Sequence, residues 1–143
     1  MEQIYLLGVY DHLRREGDAH IGYLHGSNYV GTCWTEPEYD LFALSAAYPA
    51  LRREGSTSIL LEVFEVPEEV LKCADYYEGY NPHNPHLNTF VRVEVDTPFG
   101  PCFIYEYNKI IIGKPRIVSG DWFKHKKDIK EKYLNEASHW GQD

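Results

Sequence analysis

A carboxylate at the end of a helix is where this chain first suggests chemistry. Glu78 precedes Gly79 and closes the stretch Val66 to Tyr80, which the sequence predicts as one short helix and its stop. Pro67 suits the first helical turn, where its missing N–H has no partner anyway. Glu68 and Glu69 sit where the helix dipole favours negative charge. Val70, Leu71, Ala74 and Tyr77 share one apolar face, and Gly79 is a natural helix stop. Glu78 then sits at the negative end of the helix with Asp75 one turn behind. Both effects disfavour its charge and raise its pKa. Such a carboxylate can take and return a proton near neutral pH, as a general acid/base must. On the residues alone a solvated helix-end carboxylate, the usual fate of such a group, stands as the competing reading.

Other candidates carry less. His83 and His86 lie in the Pro-rich turn Asn81 to His86. Without a nearby Cys, Asp or Glu they make a poor metal site, so no metal or other cofactor is expected. Arg14-Arg15 can bind an anion, although a solvated loop is the commoner outcome. Ser27, Ser45, Ser56 and Ser58 show no arrangement that points to a nucleophile. The signatures of nucleotide-binding loops, zinc proteases and serine hydrolases are absent.

The elements that must position Glu78 are strand-rich. Ile4 to Tyr10 reads as a strand, and Asp11 to Gly17 as a charged loop. Asp18 to Gly26 reads as a short helix opened by Asp18. Further strands are expected over Tyr29 to Thr35, Tyr39 to Leu44 and Ile59 to Val66, with Pro49 to Ser56 as a loop. Thr89 to Asp96 alternates, and Pro98-Phe99-Gly100 turns it into Cys102 to Tyr107, a hairpin. Ile110-Ile111-Ile112 reads as a last extended piece. A C-terminal helix is expected from about Asp121, its cap, to about Ala137. These elements predict an α+β fold over residues 1–143, a single domain with a small, strongly curved mixed sheet or barrel flanked by short helices.

Charge and cysteine usage narrow the function. With 22 acids against 14 bases the formal net charge is −8, which argues against nucleic acid or an anionic membrane as partner. The basic run from Lys124 to Lys132 is interleaved with Asp128 and Glu131 and reads as a solvated helix face. Three widely spaced cysteines form no CxxC pair, which fits reduced thiols in a cytoplasmic protein. A secretion signal is not expected, and no apolar stretch approaches the roughly 20 residues that span a membrane.

The order of features resembles the gamma-glutamylcyclotransferase-like family. Val9-Tyr10-Asp11-His12-Leu13-Arg14-Arg15 is similar to that family's Val-Tyr-Gly-(Ser/Thr)-Leu-Arg loop after the first strand. Gly17, His20, Tyr23 and Leu24 continue as its next helix does. Val63 to Val66 followed by Asp75 to Tyr80 resembles its strand, helix and Glu-Gly-Tyr. Phe90 to Val95, Tyr105 to Tyr107 and Ser119 to Trp122 are similar to its closing hairpin and tail.

The resemblance implies an enzyme that cleaves a gamma-glutamyl amide by cyclisation. The substrate's own α-amine attacks its γ-carbonyl and releases 5-oxoproline and an amine, with no cofactor. It implies Glu78 as the acid/base, with the loop Tyr10, Asp11, His12 and Leu13 cradling the glutamyl end. Tyr10 and Tyr80 are candidates for the pocket wall, and core packing accounts for either equally well. This chain departs from the family at Asp11, where Gly is expected, and at His12, where Ser or Thr is expected. The departure points to altered substrate preference. The alternative is a catalytically altered or inactive member that binds a small molecule or a protein.

Overall fold

The computed structural model describes residues 3–140. Its first strand is central: β1 (Ile4–Val9) lies in a five-stranded sheet of order β2-β5-β1-β7-β6. The partners are β2 (Asn28–Trp34), β5 (Leu60–Pro67), β6 (Phe90–Thr97) and β7 (Gly100–Tyr107). β1 runs antiparallel to β5 and parallel to β7, so the sheet is mixed, as expected. β6 and β7 form the expected hairpin, from Phe90↔Tyr107 to Thr97↔Gly100. A separate hairpin pairs β3 (Tyr39–Ala43) with β4 (Pro49–Arg53). The sheet does not close into a barrel.

Alternation along β1 splits the core in two. Leu7 and Val9 join Phe64, Val66, Val70, Leu71, Ala74 and Tyr105 beneath the helices. The opposite face packs Leu61, Val63, Cys102 and Ile104 against Leu41, Leu51 and Trp122. Gly8 points to that second face, where an added Cβ would lie 3.1 Å from Cys102 Sγ and 3.2 Å from Leu61 Cδ1. A larger residue there would push the strands apart.

Two helices flank the first face: α1 (His20–Tyr23) and α2 (Glu68–Glu78). α2 starts beside the beginning of β1, because Ile4 pairs with Pro67. Its 11 residues advance about 16 Å, while β1 advances about 17 Å from Ile4 to Val9. The end of α2 therefore comes level with the loop that follows β1. A third helix, α3 (Trp122–Trp140), closes the described chain.

Four local expectations are corrected. Pro49 to Ser56, expected as a loop, contains β4, which forms because β3 supplies its hydrogen bonds. Ile110 to Ile112 belongs to no strand, and Ile110 and Ile112 are exposed. Asp18 does not cap α1, whose N-cap is Ala19 without a side-chain bond. Pro67 precedes α2 in extended geometry instead of lying in its first turn. The expected cap at Asp121 is present: its Oδ1 accepts from the N–H groups of Phe123 and Lys124.

Candidate active site

Glu78 is held in place by the way α2 ends. Gly79 adopts φ 73, the left-handed conformation that glycine tolerates. The Gly79 N–H then donates to Tyr76 O and the Tyr80 N–H to Asp75 O, the two bonds of a Schellman motif. Glu78, the last helical residue, is 8% exposed although its backbone reaches the surface turn. Asp75, expected to repel it, turns elsewhere. Its carboxylate accepts from Arg92 Nη1 and from the Tyr105 hydroxyl, each at 2.6 Å.

What Glu78 meets is Asp11, from the loop after β1. Asp11 is also buried, at 7% exposed. Its Oδ1 accepts the Leu13 N–H at 3.0 Å and its carbonyl accepts the Arg14 N–H, so the loop is a compact side-chain-stabilised turn. Asp11 achieves this with ordinary backbone geometry, since Glu54 is the one non-glycine with positive φ among the described residues. Burial first, then the charge of Asp11 and a hydrogen bond with it, push the Glu78 carboxyl well above the usual carboxylate range. The direction matches the sequence expectation, but its cause is desolvation and a distant carboxyl, not the helix end and Asp75.

The pair opens into a cleft of about 620 Å³ lined by Asp11, Tyr23, Leu44, Ser45, Tyr48, Tyr77, Glu78, Thr89 and Phe90. Among the described residues, no lysine, arginine or histidine lines it. Burial and the charges of Asp11 and Glu78 raise the Tyr77 phenol and the Tyr10 phenol, keeping both neutral. A larger groove of about 940 Å³ between β3 and α3 is mostly apolar and, among the described residues, holds no carboxyl.

The remaining site candidates take other places. The Tyr10 side chain lies in the core and its hydroxyl donates to Tyr105 O at 2.7 Å. Leu13 is fully buried in the other core cluster. Both can offer the cleft backbone atoms only. His12 sits behind the loop, where its Nε2 donates to Ala47 O at 2.7 Å. It thereby anchors the segment that carries Leu44, Ser45 and Tyr48, the far wall of the cleft. Tyr80 packs beside the sheet with Arg92 over its ring, 5.2 Å from the centroid. The walls Tyr23, Tyr48, Tyr77, Thr89 and Phe90 were not identified from sequence. Only the position of Tyr77, next to Glu78, signals one of them.

Both arginines are already paired: Arg14 is buried, while Arg15 is exposed and bound to Glu62. Arg14 is buried and donates to Asp121 Oδ1 at 2.8 Å, tying the loop to the start of α3. Buried Glu62 accepts from the Arg15 N–H at 2.8 Å and its Nε at 3.3 Å. The loop that carries Asp11 is thus fastened on both sides.

Comparison with known proteins agrees with this architecture. The family model "Gamma-glutamyl cyclotransferase, AIG2-like" matches residues 7–124. A Vibrio cholerae protein named "Putative gamma-glutamylcyclotransferase" is 36% identical over 118 residues, covering 82% of this chain and 95% of its own. A protein of the same name from Pyrococcus horikoshii is 32% identical over 117 residues, covering 81% and 89%. A crystal structure from Pyrococcus horikoshii superposes with a TM-score of 0.71 at 28% identity, covering 89% of this chain and 97% of that one. A mouse AIG2-like protein superposes with a TM-score of 0.65 over 83% of this chain and 89% of its own at 21% identity, a likeness of fold. No helix among the described residues is long and apolar enough to cross a membrane. The match over most of its length makes this chain a member of the AIG2-like gamma-glutamyl cyclotransferase family.

Proposed function

We propose that the protein is a gamma-glutamylcyclotransferase with Glu78 as its general acid/base. The observation that carries this reading is a buried carboxyl with a raised pKa at the head of an aromatic-walled cleft, in a chain of this family. A γ-glutamyl amide binds folded, so that its α-nitrogen lies against its own γ-carbonyl. Holding that geometry removes much of the entropic barrier. Glu78 takes a proton from the α-ammonium, and the freed amine attacks the γ-carbon. The tetrahedral nitrogen sheds a second proton as the ring closes, and the amide C–N bond breaks. The departing nitrogen takes up both protons and leaves as an ammonium, so the reaction balances without water or cofactor. A carboxyl with a pKa near the working pH can accept and return these protons.

The substrate is a small γ-glutamyl compound, and the three free cysteines suit a cytosolic setting. The test is a panel of γ-glutamyl dipeptides, glutathione and γ-glutamyl amines, with 5-oxoproline read by mass spectrometry. Product that is lost in Glu78→Gln supports the reading, and a fully active Glu78→Gln removes Glu78 as the base.

One observation favours a second reading, a binding module without turnover. The Leu13 N–H is engaged by Asp11, so one backbone donor that a developing oxyanion would use is occupied. Activity that emerges only when Asp11→Gly and His12→Ser are combined would support that reading.

A further inference from the structure

The cleft has an unusual balance of charge for a site that would receive an amino acid. Two buried carboxyls, Asp11 and Glu78, lie at its head, and its lining contains no cation. Burial and the neighbouring Asp11 both act against a charge on Glu78. The walls are aromatic: Tyr23 and Tyr77 stand with ring centroids 4.8 Å apart, and Tyr48 and Phe90 complete the lining. Carboxyls at the head and π-faces at the sides form a receptor for an ammonium group. An anionic ligand end would meet like charge there, with nothing to offset it.

We propose that Asp11 is the specificity-determining residue of this cleft: together with Glu78 it selects ligands that present a primary ammonium. The inference builds on the cyclotransferase reading, in which the ammonium is the α-ammonium of the glutamyl group. It assigns that group to Asp11, the position where this chain departs from the loop it resembles. When the ammonium enters, its N–H groups donate to the two carboxyls, and its charge offsets the repulsion that raises Glu78. No bond to carbon forms or breaks. Among the described residues, the titratable groups that line the cleft with the pair are the phenols Tyr77 from α2, Tyr23 from α1 and Tyr48 from the far wall; Tyr10 lies behind it with its hydroxyl on Tyr105 O, and the Tyr105 hydroxyl is held by Asp75. Burial first, then the charges of Asp11 and Glu78, raise the Tyr10 and Tyr77 phenols, and burial with Asp75 raises that of Tyr105. A proton released on binding therefore comes from Glu78, whose pKa the cation lowers.

Calorimetric titration of the full chain tests this with L-2-amino-4-sulfamoylbutanoate, in which a sulfonamide replaces the cleavable γ-amide, and with its N-acetyl derivative. Titrating in two buffers of different ionisation enthalpy at neutral pH counts the protons released. The expected result is at least about tenfold tighter binding of the free amine, with net release of protons. Asp11→Gly should reduce the preference to less than about threefold and lessen the release. Asp11→Asn retains a side-chain oxygen for the Leu13 N–H, so it preserves the loop if Asp11→Gly unfolds it. It should give the same loss. Equal binding of the two probes by the wild type, binding of neither, or a preference that survives both substitutions overturns the proposal. The cyclotransferase reading fails separately, by absence of 5-oxoproline, and ammonium selectivity without turnover leaves Asp11 in the role assigned here.

Discussion

Replacing Glu78 by glutamine is expected to stabilise the fold at alkaline pH while it removes the proposed base. Glu78 is buried, meets another carboxyl, and has no cation beside it in the cleft. Burial, then Asp11, raises its pKa well above 4.5 in the folded protein, while in the unfolded chain it ionises at about 4.3. Between those two values the native state holds a proton that the unfolded chain has released. The stability this contributes is fully present below the unfolded value and is lost as pH rises through the folded one. Each unit of that window is worth about 1.4 kcal/mol. Glutamine has the same shape, does not ionise, and can donate an amide N–H to Asp11. The variant should therefore match the wild type near pH 4 and exceed it by about 1–3 kcal/mol near pH 8. For a chain of this length that is roughly 3–12 °C in melting temperature. Thermal unfolding followed by circular dichroism across that pH range, at fixed ionic strength, reads the difference directly. A variant no more stable than wild type near pH 8, or a difference that ignores pH, would refute the argument. Either outcome would mean that Glu78 is ionised and satisfied in the native state.

Three further outcomes follow from the same contacts. Gly79→Ala puts a Cβ on a residue with φ 73 and should cost about 1 kcal/mol in urea unfolding. It should also lower turnover by disturbing the helix end that holds Glu78. Asp75→Asn weakens the link to Arg92 and Tyr105 and should cost about 1–3 kcal/mol. A double-mutant cycle with Arg92→Met should give a coupling above about 0.5 kcal/mol, and strict additivity would show the pair to be inert. His12→Ser breaks the bond to Ala47 and loosens the far wall, so steady-state kinetics should show KM rising several-fold with kcat changed less.

The sequence made some of this legible and left the rest to long-range contacts. Elements with strong periodicity were readable: β1, β5, the β6–β7 hairpin, α2 and its stop at Gly79. β4 was not, because Pro49, Arg52 and Arg53 look like loop residues until β3 pairs with them. The Ile110 to Ile112 run has the composition of a strand, yet the exposure of Ile110 and Ile112 shows that apolar residues alone do not recruit a partner. Glu78 was identifiable from its neighbours, but the group that perturbs it was not. Asp11 reaches it only because α2 retraces the length of β1. Tyr23, Tyr48 and Phe90 come from three different segments, and no local spacing marks them as walls of one cleft.

The two carboxyls at the end of α2 show why the contrast with Asp75 matters more than burial alone. Asp75 and Glu78 lie on the same turn, and burial raises the pKa of each. Asp75 is opposed by Arg92 and by the Tyr105 hydroxyl, both of which pull its pKa back down. It becomes a brace that joins the helix to the sheet. Glu78 is denied any cation and given Asp11 instead, which pushes further in the direction burial began. A fold selected for stability alone gains nothing from leaving that second carboxyl uncompensated, since exchanging it for a neutral isostere removes the penalty. The arrangement makes sense if the missing counter-charge arrives with the ligand. Removing Arg92 should then make Asp75 behave more like Glu78, with stability that falls as pH rises, whereas supplying the ammonium ligand should make Glu78 behave more like Asp75.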